Sequence, residues 1–110
     1  LACLLSRPKP TLFLNFVAGV TPDCDCIGFS DAPLCPDLGV LCSFDPVALD
    51  QACLDLVNAA PPLWPSKLPQ GLAAGENKFK AVHPHVPDNY GLDHAAALGL
   101  GGREYELTTL

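Results

Sequence analysis

Residues 38–60, LGVLCSFDPVALDQACLDLVNAA, join a short apolar run directly to a longer amphipathic one. The first part, Leu38 to Cys42, is continuously apolar, which predicts a β-strand covered on both faces, as in a parallel sheet. Asp45 is a favourable N-cap and Pro46 suits the first position of a helix, so we expect a helix to begin there. A strand followed at once by a helix is typical of an α/β layered fold.

The predicted helix runs from Val47 to Ala60 and is amphipathic. With about 100° of rotation per residue, one side carries the apolar residues and the other the polar ones. The apolar side holds Leu49, Ala52, Cys53, Leu56, Val57 and Ala60, and the polar side holds Asp50, Gln51, Asp55 and Asn58. Val47 and Leu54 fall toward the polar side, which leaves room for another layer or subunit against that face.

Further elements are predicted on either side of this stretch. Residues 11–17, TLFLNFV, are apolar and rich in aromatic residues, which predicts a buried strand. Residues 92–98 are predicted to form a short helix that ends at Gly99, and residues 105–109 are predicted to form a closing strand.

The segment 61–75 is predicted to be a Pro/Gly-rich internal connection, because its prolines prevent regular structure. We expect residues 1–110 to form a single α/β domain or the C-terminal fragment of one. In either case we expect the fold class to be α/β, a small layered sheet with helices. We favour the alternative in which it is part of a larger α/β domain.

Composition argues against several functional classes. The chain has 110 residues, a formal net charge of −6 and only six Lys and Arg residues. An acidic chain without a basic run is a poor match for nucleic acid or for an anionic membrane surface. No apolar stretch approaches the roughly 18 residues that a membrane helix needs. The opening residues LACLL are too few to form a signal peptide. We therefore expect a soluble, cytoplasmic protein and leave homo-oligomerisation open.

Six cysteines, at positions 3, 24, 26, 35, 42 and 53, leave three interpretations open. They could form a disulfide framework, contribute to a metal or cluster site, or be buried thiols. Long Leu/Val/Ala-rich segments can build a core without disulfides, which favours the last two. Cys35, Cys42 and Cys53 are interpreted as packing residues.

The most unusual local arrangement is TPDCDC at residues 21–26. Cys24 and Cys26 supply soft ligands in a loop that follows a predicted strand, and the neighbouring carboxylates supply hard ones. Two thiolates on one metal ion must lie close together, so the chain has to turn between them. Asp23 and Asp25 oppose thiolate formation unless a cation is present, so metal ligation is favoured over thiol catalysis. Two alternatives remain for Cys24 and Cys26: reduced structural thiols, or partners in a disulfide.

Asp25, Asp31 and His85 are weaker candidates for metal ligands. Asp31 also suits a turn position and His85 lies in a Pro-flanked loop, so surface or local hydrogen-bonding roles compete with ligation. The same three residues are the candidates if the chain is instead an α/β enzyme with its site in the loops after the strands. The sequence contains no G-x-S-x-G, no phosphate loop and no G-x-G-x-x-G after a strand. For the enzyme alternative, neither a reaction class nor a substrate can therefore be assigned. A purely structural domain is the third alternative.

Several segments together resemble one known family. They are NF at 15–16, TPDCDC at 21–26, GFSD at 28–31, PDLGVL at 36–41, DPVALDQA at 45–52 and LGLGGREYEL at 98–107. In this combination the chain resembles the C-terminal part of the uncharacterised iron–sulfur centre proteins, which are prokaryotic and contain a large domain of unknown function. The resemblance implies ferredoxin-type 4Fe-4S motifs upstream of this region, and such motifs are not found in these 110 residues.

The resemblance also implies a role for the Asp-Cys-Asp-Cys loop. The chain would be the C-terminal α/β domain of an iron–sulfur cluster-binding protein and would contribute strands to a larger sheet. Its partner would be the remainder of the same longer chain, which would hold the cluster. The loop would bind a metal ion through Cys24 and Cys26, or lie near the cluster, in electron transfer or metal handling.

Overall fold

The structure is a computed structural model that describes residues 9–24, 26–29, 31–87 and 89–110. These residues form two strands and three helices. The elements are β1 (Phe13–Val17), β2 (Gly39–Ser43), α1 (Pro46–Ala59), α2 (Lys78–Val82) and α3 (Tyr90–Ala97). The predicted α/β class is confirmed. None of the described helices combines the length and apolar character needed to cross a bilayer.

β1 and β2 pair as a two-stranded antiparallel sheet. The N–H of Leu38, just before β2, donates to the carbonyl oxygen of Val17 at the end of β1, at 2.8 Å. The prediction that β2 is covered on both faces is wrong, because Val40 is 57% exposed and Cys42 is also exposed. A continuous apolar run does not distinguish a fully covered strand from an antiparallel strand with one open face.

Asp45 caps α1 as predicted. Its Oδ1 accepts the N–H groups of Val47 at 2.9 Å and Ala48 at 3.0 Å. Its backbone carbonyl accepts the N–H of Leu49 at 3.1 Å. Pro46, which has no N–H to satisfy, occupies the first helical position. The capping residue therefore fixes where the helix begins.

Outside β1, β2 and α1, the predicted and observed elements differ in their bounds or in whether they are present. The helix predicted at 92–98 is present as α3, but it begins earlier and ends at Ala97. Its C-cap is Leu98, and the next residue, Gly99, has a left-handed φ of 71°. α2 lies where no helix is predicted, because a helix of five residues is too short to show a clear period. The strand predicted at 105–109 is wrong, since these residues form no regular element. Alternation predicts a strand only where a neighbouring strand supplies the hydrogen bonds.

The described residues divide into two units. The first comprises the described part of Leu1–Phe16, together with Val40–Leu54 and Asn89–Leu110, and its buried residues include Val47, Leu49 and Ala52. The second comprises the described parts of Val17–Gly39 and Asp55–Asp88, and its buried residues include Leu34, Cys35, Val57, Leu68 and Lys78. The single-domain or fragment organisation stays a prediction.

Candidate functional site

The thiol loop, defined as residues 21–31, lies in the second unit and carries Cys24 and Cys26 on its surface. The N–H of Ile27 donates to the carbonyl oxygen of Cys24 at 3.0 Å, which closes a turn around the two cysteines. A turn at this position is what the metal-site prediction expects. Asp25 lies outside the described residues.

Lys67 connects the two flanks of the thiol loop. Its Nζ lies 2.6 Å from Asp23 Oδ2 and 3.7 Å from Asp31 Oδ2. The hydrogen bond to Lys67 lowers the pKa of Asp23, and the same bond raises the pKa of Lys67. Both groups are therefore charged at neutral pH. The ammonium compensates the Asp23 carboxylate, which reduces the repulsion expected between that carboxylate and a thiolate beside it.

His83 contacts the first residues of the thiol loop, Pro22 and Asp23. Its Nε2 lies 2.6 Å from the carbonyl oxygen of Pro22 and 3.9 Å from Asp23 Oδ1. A carbonyl oxygen can only accept, so Nε2 carries the proton and donates it. In the neutral ring this leaves the lone pair on Nδ1. The imidazole therefore holds the residue that precedes Asp23 in place.

α2 positions His83, because this residue is the C-cap of that helix. At the other end, the N-cap Asn77 accepts the N–H of Lys80 through its side chain, at 2.8 Å. The helix is also tied to Asn58 of α1. Lys78 donates its backbone N–H to Asn58 Oδ1 at 3.0 Å and its Nζ to the Asn58 carbonyl oxygen at 2.8 Å.

Lys78 has no exposed surface, although it is a lysine. Burial lowers its pKa, while the nearby Cys35 and Glu76 act in the opposite direction. A buried ammonium is costly unless it is hydrogen-bonded, and the Asn58 carbonyl oxygen supplies that bond. The polar contact between α1 and α2 therefore fixes the short helix that carries His83.

The remaining cysteines behave differently from one another. Cys35 is buried, as expected of a packing residue, and burial raises the pKa of its thiol. Cys53 on α1 is partly buried, and burial raises its pKa as well. The interpretation of Cys42 as a packing residue is wrong, because it is exposed on β2. Its side chain lies on the strand face opposite that of its neighbour Leu41, since successive side chains alternate.

Two of the weaker candidates, Asp31 and His85, do not form a metal-binding group with the thiols. Asp31 accepts the N–H of Ala32 at 2.8 Å and faces Lys67, whereas His85 is exposed in the turn after α2. Among the described residues, no group of three or more His, Cys, Asp or Glu side chains is arranged to hold a metal ion. A 4Fe-4S cluster takes four cysteines and a structural zinc site takes four ligands. The described side chains therefore do not make up a complete site of either kind.

The sequence offers one signal for Lys67 that the motif-based prediction missed. Between Lys9 and Lys78 this is the one basic residue, in a stretch that contains seven aspartates and Glu76. A lone cation among many carboxylates is expected to pair with some of them, but the sequence does not say which. His83 could not be assigned in the same way, since its partner is a backbone carbonyl far away in the chain.

Sequence comparison relates the part of the chain that contains the thiol loop to a family without a known function. Residues 2–55 match the family model of a domain of unknown function, DUF362. The match is slightly shorter than half of the chain and includes both strands, the thiol loop and most of α1. It supports the coarser part of the resemblance, the domain of unknown function. No curated protein and no solved structure shows significant similarity to the chain.

Proposed function

We propose that this chain is a metal-binding α/β domain in which Cys24 and Cys26 hold one thiophilic metal ion, such as Zn²⁺ or Fe²⁺. The observation that carries the proposal is the thiol loop itself. Two exposed thiols share one turn, and the carboxylates on its two flanks contact the same ammonium, that of Lys67. This arrangement presents soft ligands on a supported loop, which is the form that a metal site requires.

Charge balance supports ligation over thiol chemistry. Two thiolates add negative charge to a chain whose formal charge is already −6, and this opposes their formation in the absence of a cation. Lys67 offsets one neighbouring carboxylate, and a divalent metal ion would offset both thiolates. The ion and the loop therefore stabilise each other, and binding should release protons.

Two thiolates leave open positions on a tetrahedral ion. Asp25 is the candidate within the loop for one of them, and ligands from elsewhere would fill the rest. A site with open positions suits metal handling, in which the ion is accepted and passed on, more than permanent structural binding. In the longer iron–sulfur protein that the resemblance implies, such a loop would serve a cluster region in the remainder of the chain. We place this role in the cytoplasm, where thiols stay reduced.

The proposal is tested by metal binding to matched pairs of cysteine variants. Co²⁺ serves as a spectroscopic probe, because thiolate ligands give it a charge-transfer absorption. Cys24→Ser/Cys26→Ser removes the proposed ligands. Cys42→Ser/Cys53→Ser removes the same number of thiols, one exposed and one partly buried, from the first unit. We expect wild type and the second variant to give the thiolate band and the first variant to lack it. An unchanged band in Cys24→Ser/Cys26→Ser would refute the proposal.

A further inference from the structure

The part of the thiol loop that carries Cys24 and Cys26 is open to solvent. Pro22, near the start of the loop, is buried, whereas each described residue from Cys24 to Phe29 is exposed. A Cβ placed on Gly28 would meet no atom within 4 Å, so the chain itself leaves space on that side. We call residues 24–29 the loop tip. Another molecule can therefore approach this segment without displacing the rest of the unit.

The described polar groups beside the loop tip already have partners within this chain. Asp23 pairs with Lys67 at 2.6 Å, and Asp31 accepts a backbone N–H at 2.8 Å. His83 donates from Nε2 to a backbone carbonyl oxygen of the loop at 2.6 Å. Among the described residues, no further His, Asp or Glu completes a metal-binding group with the two cysteines. The open positions of an ion bound there therefore need Asp25, water or another molecule.

The preference of the metal ion decides among these sources. Zn²⁺ in structural sites takes four ligands, and four thiolates are one of its ordinary sets. Carboxylate and water oxygens are harder ligands, which a thiophilic ion favours less than thiolate. A second copy of this chain presents the same two exposed cysteines. Two loop tips together therefore supply a complete set of four soft ligands.

Building on the proposed function, we propose that two copies of this chain share one ion when the metal is scarce, with Cys24 and Cys26 of each copy as its four ligands. Zn–S bonds of about 2.3 Å bring the sulfur atoms of the two copies to within about 4 Å of each other, which only exposed loops can achieve. The coordinate bonds, rather than a large buried surface, hold this dimer together. When the metal is in excess, each chain holds its own ion and the copies separate.

The loop tip also carries apolar side chains next to the cysteines. Ile27 follows Cys26 directly and is 39% exposed, and Phe29 is 69% exposed. Two tips that meet at one ion would cover these side chains, and this adds a hydrophobic contribution to the coordinate bonds. The site is incomplete in one chain, and its partner contributes the same residues, which gives a closed two-fold assembly.

Charge opposes the dimer but does not prevent it. Each chain has a formal net charge of −6, and four thiolates carry more negative charge than one divalent ion offsets. Lys67 compensates Asp23 beside each tip. Salt screens the remaining repulsion beyond about 8 Å at physiological ionic strength. The test is therefore made at that ionic strength.

The test is a Co²⁺ titration of the reduced, metal-free full chain, with the absorption spectrum and the mass by analytical ultracentrifugation recorded at each ratio. Below half an equivalent, we expect a dimer with one ion, which releases about four protons per ion. The thiolate band per ion should be about twice as intense there as above one equivalent, because twice as many thiolates bind each ion. Above one equivalent, we expect monomers that hold one ion each.

A matched pair of variants tests the contact at the loop tip. Phe29→Glu places a charge beside the shared ion and should raise the dimer dissociation constant at least roughly tenfold, because the change affects both copies. Phe44→Glu is the control, since Phe44 is similarly exposed, at 65%, lies outside the helices and strands, and belongs to the other unit. It should dimerise like wild type. Circular dichroism checks the fold of each variant.

The outcomes separate the shared site from the proposed function. A wild type that gives the thiolate band but stays monomeric at every ratio would overturn the shared site and leave the proposed function standing. A wild type without the band would refute both. A dimer that forms without metal, a dimer that persists in Cys24→Ser/Cys26→Ser, or equal dissociation constants for the two phenylalanine variants would each overturn the shared site.

Discussion

Replacing Gly101 by alanine should break the contact that ties the C-terminal segment to the start of α1. The N–H of Gly102 donates to Asp45 Oδ2 at 2.8 Å, while Oδ1 of the same carboxylate caps the helix. A Cβ at position 101 would lie 2.0 Å from Asp45 Oδ1, 2.7 Å from Cγ and 2.9 Å from Oδ2. These distances are too short for any real contact, so the carboxylate would have to move.

The cost follows from what the Asp45 carboxylate holds. Loss of an N-cap costs roughly 0.5–2 kcal/mol, and loss of a hydrogen bond to a charged group costs about 1.5–3 kcal/mol. We therefore expect Gly101→Ala to lower the free energy of unfolding by about 2–4 kcal/mol. Gly102→Ala is the neighbouring control, because a Cβ there has no atom within 4 Å and φ is not left-handed. Its effect should stay within about 0.5 kcal/mol.

The assay is urea denaturation followed by circular dichroism, with Asp45→Ala and the double variant completing a mutant cycle. In the Asp45→Ala background, Gly101→Ala should cost far less, because the carboxylate with which the new methyl group collides is gone. Two results would refute the reasoning. One is a Gly101→Ala variant as stable as wild type, and the other is an equal loss in both backgrounds.

Three further predictions concern charged groups. Lys67→Met should weaken metal binding at the thiol loop roughly tenfold, because it removes the contact that supports Asp23 and Asp31 beside the thiols. The control Lys80→Met should leave the Co²⁺ affinity unchanged, and equal affinities in the two variants would contradict the prediction. Burial of Asp45 favours its neutral form, but three backbone N–H groups together hold its pKa below its ordinary value. Its contribution to stability should therefore be complete above about pH 5 and decline as pH falls toward about 2, so the urea midpoints of wild type and Asp45→Asn should converge with acidification. Burial lowers the pKa of Lys78, so the folded state loses that proton at a lower pH than the unfolded chain does. The free energy of unfolding of wild type should therefore rise relative to that of Lys78→Met as pH increases toward about 10. Parallel dependence of the two free energies on pH would contradict this prediction.

Local sequence chemistry predicted α1 well. Asp45 and Pro46 mark its first turn because capping depends on residues next to each other in the chain. The position of strand β1 is predictable for a similar reason, since prolines and a glycine bound a β-prone run. Its predicted burial is wrong, because Leu14 and Phe16 are exposed. The wrong predictions concern burial and pairing, as at Cys42 and at residues 105–109. Both depend on which segment lies alongside, and periodicity carries no information about that.

The candidate site shows the same division. The thiol pair and the need for a turn follow from the spacing of Cys24 and Cys26. The support for that turn comes from Lys67 and His83, which are distant from it in sequence. The helix that ends at His83 is itself held by the contact between Lys78 and Asn58. No local pattern encodes a lysine that pairs with a carboxylate 44 residues away. Contacts of this kind require a structure.

The most direct test of the account is native mass spectrometry of the full chain with Zn²⁺. If Cys24 and Cys26 bind as thiolates, each chain should take up one zinc ion and lose two protons, in wild type and in Cys42→Ser/Cys53→Ser alike. Cys24→Ser/Cys26→Ser should stay at the mass of the metal-free chain under the same conditions. Zinc uptake with the same proton loss in that variant, or no uptake by wild type, would contradict the assignment of the thiol loop as a metal site.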